Sequence, residues 1–175
     1  MTTSKTYETE RLLLQPTTVK DAAFILELVN SPKWKQYIGE RNLRTIADAE
    51  NYIRDKKLTP FNVHGFGNYT VIRKADRTKI GTTGLYDRAG IDGIDLGFAF
   101  LPAYEKQGYA FEAANKLVQL AFTDFELTHL SGITIKENID SQRLLEKLGF
   151  SLHGIINIPN DPEELLHYKL VFLPA

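Results

Sequence analysis

The chain has no cysteine among its 175 residues. That single absence excludes a disulfide framework, a thiolate metal site and an acyl-enzyme on sulfur. Histidine is scarce and scattered, at His64, His129, His153 and His167, without the i, i+4 pairing of a helical zinc site. No metal is expected. No apolar run approaches the roughly 20 residues needed to span a bilayer, and Met1 to Glu8 contains no apolar signal core. A cytoplasmic protein without a membrane partner is the expectation. Charge of one sign is missing too: 21 basic and 22 acidic residues are interspersed, for a net charge of -1. Phosphate-backbone binding demands a basic stripe, so nucleic acid is not an expected partner.

What is present suffices for one core. A hydrophobic content of 43% in a chain of this length predicts a single domain over residues 1–175, folded without metals or crosslinks. Glu10 to Pro16, with Leu12, Leu13 and Leu14 ended by proline, reads as a buried first strand. From Thr18, Val19, Ala22, Ala23, Leu26 and Val29 recur at helical spacing until Asn30-Ser31-Pro32. A polar stretch holds Trp34 and Tyr37. Thr45 and Asp48 then offer capping side chains for a second helix, through Tyr52 and Ile53 to about Leu58, before Pro60, Gly65 and Gly67 break the chain.

The middle reads as an antiparallel meander of Asn68 to Arg73, Lys79 to Tyr86 and Ile94 to Leu101, with turns near residues 74–77 and 89–90. Gly108 opens a long helix whose apolar face is Ala110, Ala113, Ala114, Leu117, Val118, Ala121 and Phe122. A strand from Leu130 to Ile135 follows, then a helix from about Ile139 to Leu148 ended by Gly149. Phe150 to Ile156 and Leu166 to Phe172 close the chain as strands. The pattern predicts an α/β fold: a mixed, largely antiparallel sheet flanked by helices.

The chemistry concentrates between Asp95 and Ala113, where a strand, a short loop and a helix meet. A helix start leaves its first N–H groups unpaired beside the positive end of the macrodipole, which suits a phosphate. Gly108 and Ala110 allow close approach, and Lys106 adds a cation. By itself such a junction is more often a plain helix initiation after a proline turn.

Leu101 to Ala113 resembles the acetyl-CoA pyrophosphate loop of the GNAT acetyltransferases, particularly the ribosomal-protein N-acetyltransferase (RimJ/RimL-like) branch. Three more segments resemble the same branch, in the same order. Glu10-Arg11-Leu12-Leu13-Leu14 with Pro16 is similar to its opening strand, Ile80-Gly81-Thr82-Thr83-Gly84-Leu85 to its third strand, and Asn138 to Phe150 to the helix that follows its pantetheine site. The resemblance spans almost the whole chain. It implies the GNAT acyl-CoA N-acyltransferase fold, acetyl-CoA as co-substrate and an amine as acceptor. Glu105 departs from the family loop, which often carries Gln or Arg there. A carboxylate near a diphosphate is unfavourable, so Glu105 points away or CoA binds more weakly.

Carried onto this chain, the resemblance implies that pantetheine lies between strands Asp95 to Leu101 and Leu130 to Ile135. Main-chain groups around Phe98, Ala99 and Phe100 bind its amides, and Lys106, Gln107, Gly108, Tyr109, Ala110 and Phe111 cradle the diphosphate. The side chains of Phe98 and Phe100 have ordinary core packing as their alternative. An amine attacks only when neutral, so a proton acceptor is required. Asp95 is the leading candidate, through water, with charge neutralisation or a turn role as its alternative; Asp87 and Glu112 rank behind it. Ser141 matches the serine that protonates the departing thiolate in family members, and Asn138 matches its pantetheine-contacting partner. Both are also good helix-start residues. Tyr104 and Tyr168 could supply the proton instead, with packing and a tethered hydroxyl as their more common role. The expected reaction is direct transfer in a ternary complex, to a protein N-terminus or a small-molecule amine. Residues Val19 to Leu58 are expected to line the acceptor site. A non-catalytic acyl-CoA-binding module is the rival reading, and the resemblance also admits a homodimer.

Overall fold

The computed structural model describes residues 5–173. The chain begins with β1 (Tyr7–Glu8) and β2 (Leu12–Pro16), then a 3-10 turn at Val19–Asp21 that leads into α1 (Ala22–Val29). Three further short helices follow: α2 (Pro32–Tyr37), α3 (Ile46–Ile53) and α4 (Thr59–His64). Next come β3 (Asn68–Arg73), β4 (Thr78–Asp87), β5 (Ile94–Phe100) and the long helix α5 (Tyr109–Thr123). The last elements are β6 (His129–Thr134), α6 (Ile139–Lys147), β7 (Ser151–Ile156) and β8 (Leu165–Val171).

Among the described residues, eight strands form one sheet in the order β1-β2-β3-β4-β5-β6-β8-β7. Every neighbouring pair is antiparallel except β5 and β6, which run parallel because α5 carries the chain across between them. The fold is therefore the mixed, largely antiparallel α/β architecture that the sequence predicts.

Local chemistry accounts for most boundaries. Thr45 starts α3 with a reciprocal capping box: its Oγ1 accepts the Asp48 N–H at 3.0 Å, and its own N–H donates to Asp48 Oδ2 at 2.9 Å. Two expectations differ from the structure. The polar stretch around Trp34 is the helix α2, begun by Pro32, whose missing N–H costs nothing in a first turn. The helix expected to stop near Leu58 continues through a π-helical turn, Arg54–Leu58, into α4. Pro60 follows closely on the π-helical turn, where the hydrogen-bond ladder is already irregular, and the chain breaks only at Gly65.

Two apolar clusters hold the layers. The larger joins the sheet to α5 and α6 through Leu85, Leu96, Leu117, Leu130 and Leu145. Each is at most 3% exposed, so each contributes roughly 1.5–3 kcal/mol by leaving water. The second sits beneath α1 to α3 and includes Ile25, Leu28, Trp34, Ile53 and Leu101. Alternate residues of β5 divide between the two: Leu96, Phe98 and Phe100 pack with the first, Ala99 and Leu101 with the second. One face of β5 thus looks toward α5 and the other toward the short helices.

Candidate active site

The site begins where the sheet comes apart. β5 pairs with β4 along its whole length, from Ile94↔Asp87 to Phe100↔Gly81. With β6 it shares one register pair, Asp95↔Ser131, after which pairing ceases. Beyond that vertex the β5 edge facing β6 has no strand partner, a place where an extended chain with amide groups can pair.

At the far end of β5 the chain turns through a 3-10 segment, Pro102–Tyr104, into α5. Lys106 and Gly108 both adopt left-handed conformations, with φ of 59° and 84°. Gly108 is the residue type that takes this conformation without a Cβ penalty, and a Cβ here would lie 3.2 Å from Arg11 Nη2. The first main-chain bond of α5 runs from the Glu112 N–H to the Gly108 carbonyl at 3.0 Å. The N–H groups of Tyr109, Ala110 and Phe111 precede it and so have no acceptor within the helix. Lys106 is exposed beside them.

Arg11, on the approach to β2, fastens this loop. Its Nη1 donates to the Gln107 carbonyl at 3.1 Å, its Nε pairs with Glu112 Oε2 at 2.7 Å, and its guanidinium stacks 4.3 Å from the Tyr109 ring centroid. Glu112 Oε1 also accepts from the Thr9 hydroxyl and the Arg11 main chain, at 2.6 and 2.8 Å. Burial alone pushes the Glu112 carboxyl up, and these donors together pull it below its ordinary range. Glu112 is thereby tied into the scaffold.

Glu105 has a partner of its own. Lys33 of α2 binds it at 2.5 Å and reaches Asp140, in the first turn of α6, at 3.7 Å. The hydrogen bond to Glu105 is the main cause that raises the Lys33 ammonium. The negative charge that departs from the family loop is thus matched by a cation from the short helices.

At the vertex, Asp95 is 1% exposed. Burial pushes its carboxyl up from the ordinary range, opposed by Arg88, whose Nε lies 3.3 Å away. Across the strand pair, Tyr86 faces Asp95, and its ring occupies the space left by Gly97: a Cβ there would sit 2.7 Å from the ring. On the other strand Ser131 bonds His167 Nε2 at 2.9 Å. Asp87 instead pairs with His64 at 3.5 Å and is exposed.

Asn138 caps α6, its Oδ1 accepting the Ser141 N–H at 3.2 Å. The Ser141 hydroxyl takes no part in that cap. Tyr168 is buried, its hydroxyl 3.5 Å from Glu146, and Tyr104 stacks under Arg73 at 5.1 Å. Arg11, Lys33, Tyr86 and Arg88 escape sequence reasoning as contributors, although Arg11 falls inside the opening-strand motif. Their roles come from partners 7 to 101 positions away in the chain.

A sheet parted beside its one parallel strand pair, with a helix start open to an anion at the end of the gap, offers a place to an extended ligand with an anionic end. The chain belongs to the GNAT family: residues 11–151 match the family model for the acetyltransferase (GNAT) domain. It is 27% identical over 150 residues to the uncharacterized N-acetyltransferase YoaA of Bacillus subtilis, covering 85% of this chain and 84% of that protein. An acetyltransferase from Agrobacterium tumefaciens superposes with a TM-score of 0.82 at 24% identity, over 96% of this chain and 95% of that one. The ribosomal alpha-N-protein acetyltransferase RimL in complex with coenzyme A superposes at 0.75 with 12% identity, over 95% and 98% of the two chains. Among the described residues no helix is long and apolar enough to cross a membrane, and no His, Asp and Glu cluster could hold a metal.

Proposed function

We propose that this acetyltransferase moves the acetyl group of acetyl-CoA to a primary amine, a protein N-terminus or a small-molecule amine, by direct attack in a ternary complex. The observation that carries this reading is the single Asp95↔Ser131 pair at the head of the parted strands, with the unpaired N–H groups of Tyr109, Ala110 and Phe111 at their other end. From Asp95 to Leu101 is six residues, about 20 Å at roughly 3.3 Å per residue. Diphosphate at α5 and thioester near the vertex are the two ends of one extended ligand.

Pantetheine amides pair with the free edge of β5 around Phe98, Ala99 and Phe100. Asp95 removes a proton, through water, from the amine, whose nitrogen then attacks the thioester carbonyl carbon. A β5 N–H stabilises the oxyanion of the tetrahedral intermediate, a contribution of roughly 3 kcal/mol when well placed. The carbon–sulfur bond breaks, the nitrogen gives up its second proton to water, and the thiolate takes a proton through Ser141, whose hydroxyl recovers one from solvent. No covalent enzyme intermediate forms. Asn138 and Ser141 approach pantetheine from the start of α6, with Lys106 and Gln107 beside the diphosphate.

A module that binds acyl-CoA without turnover is the rival reading; the Lys33 pair offsets the Glu105 charge on which it leaned. Thiol release from acetyl-CoA across a panel of primary amines tests the reading. Acceptor-dependent release supports it; binding of acetyl-CoA with no release on any amine overturns it.

A further inference from the structure

Around the vertex, on the face of the sheet that looks toward the short helices, cationic side chains gather about the rings of Tyr52, Tyr86 and Trp34. Lys57 extends from the π-helical turn, a backbone irregularity frequent at functional sites. Its Nζ lies 5.4 Å from the Tyr52 ring centroid and 5.1 Å from that of Tyr86, the cross-strand partner of Asp95. Arg88 stands 5.7 Å from the same Tyr86 ring, and Arg41 stands 5.8 Å from the ring of Trp34. The Trp34 indole N–H is buried without a hydrogen-bond partner.

Three positive charges converge on a region whose buried carboxylate, Asp95, is already paired with Arg88. Neither Lys57 nor Arg41 forms an ion pair with a carboxylate among the described residues. Lys57 remains half-buried as a residue, while burial around its amine is the main cause that lowers it, with Tyr52 opposing and Arg88 and Arg41 adding. Burial raises the Tyr52 hydroxyl, but Lys57 and Arg41 outweigh it and lower the group. An uncompensated cation in a partly desolvated site is costly unless an anion meets it in use.

That anion is not the diphosphate. The helix start that suits a diphosphate lies at the opposite end of β5, about 20 Å from Asp95 along the strand. We infer that Lys57, Arg41 and Arg88 receive a carboxylate carried by the acceptor a few atoms from its reacting amine. The inference rests on the acetyl-transfer reading of the Asp95 vertex and narrows its substrate class. Amino acids, and peptides with an acidic residue beside the N-terminus, share this chemistry. Polyamines and aminoglycosides, with several positive charges, are repelled by the same three residues.

The test is thiol release by the wild-type protein at saturating acetyl-CoA, using matched pairs: free amino acids against their carboxamides, and dipeptides with Asp in second place against those with Asn. Spermidine serves as the polycation. The expected kcat/KM is at least about tenfold higher for the carboxylates, since a site built for a polar group rejects the analogue that lacks it. Preference for the free amino acids or for the acidic dipeptides identifies the source of the carboxylate. In Lys57→Met the preference shrinks toward parity through KM, while acetyl-CoA affinity, measured by calorimetry, is unchanged. Equal rates for acids and amides, or preference for spermidine, overturn the inference, and the wild-type pairs decide this even if the variant does not fold. Failure of acetyl-CoA to bind overturns the parent reading as well, whereas tight binding with indifferent acceptors overturns this inference alone.

Discussion

Asp95 and Ser131 stand opposite each other in the one register pair that links β5 to β6 among the described residues, and from that pair the strands part. Asp95 therefore sits where the sheet opens, 1% exposed, on the face shared with Tyr86 and the short helices. Burial there raises the carboxyl above its usual range, and the position beside the gap is what the proposed role as base requires.

Asp95→Asn keeps the shape and removes the base. The expected loss in kcat is about 10²- to 10⁴-fold, with acetyl-CoA affinity unchanged. Burial, against the pull of Arg88, raises the Asp95 carboxyl above its ordinary value near about 3.9. Wild-type activity should accordingly fall on acidification through that raised value, and the residual activity of the variant should lack this limb. A pH–rate profile that is identical in the two proteins would remove Asp95 from the role.

Asn138 and Ser141 separate structure from chemistry. Because Asn138 Oδ1 caps α6, Asn138→Ala is expected to cost about 1 kcal/mol of stability, seen as a lower Tm. Ser141→Ala leaves the cap intact, so its Tm stays near wild type while kcat falls about 10²-fold, the low end of acid–base effects. A Ser141→Ala protein with full kcat would assign thiolate protonation elsewhere.

The order of strands and helices was legible because hydrophobic period, proline and glycine report local geometry, as the 3.6-residue stripe of α5 and the capping residues of α3 show. The gap between β5 and β6 came through resemblance, and the parallel run of the pair was not read at all, since a strand reads the same whichever way its neighbour runs. The α2 helix was hidden because its six residues carry one buried apolar side chain, Trp34, too few to display a period. The π-helical turn was hidden because Lys56 and Lys57 look like a solvated face. Ion pairs such as Lys33–Glu105 span 72 positions and leave no local signal. The departure at Glu105 was visible, and its compensation was not.

Glu112 ties α5 to the residues before β2, and its ionisation follows the fold. Its carboxyl is lowered on folding, so the stability it contributes is present above the unfolded value near about 4.3 and is lost as pH falls through the lower folded value. Glu112→Gln is expected to lose about 1–3 kcal/mol at neutral pH, because Arg11 and Thr9 keep only a neutral acceptor. In urea titrations the difference between wild type and variant should narrow below that pH. A constant difference from neutrality to strong acid would separate Glu112 from this linkage.

Lys33 is expected to act on coenzyme binding through charge. Lys33→Met exposes the diphosphate loop to an uncompensated Glu105, so acetyl-CoA affinity falls several-fold; the pair is partly exposed, which keeps the effect near 1 kcal/mol or below. Adding Glu105→Gln should restore the affinity. If the double variant binds as weakly as Lys33→Met, charge at Glu105 is not the cause.

The most direct measurement is calorimetric titration of acetyl-CoA into the wild-type protein and into Gly108→Trp, with folding of both checked by circular dichroism. Gly108 holds a φ of 84° at the start of α5, beside the N–H groups proposed to meet the diphosphate, and an indole there would fill the approach. Micromolar binding by the wild type that is lost in a folded Gly108→Trp is the expected result. A folded wild type that binds no acetyl-CoA, or a variant that binds it equally well, would refute the assignment of this loop and the parted strands as the acetyl-CoA site.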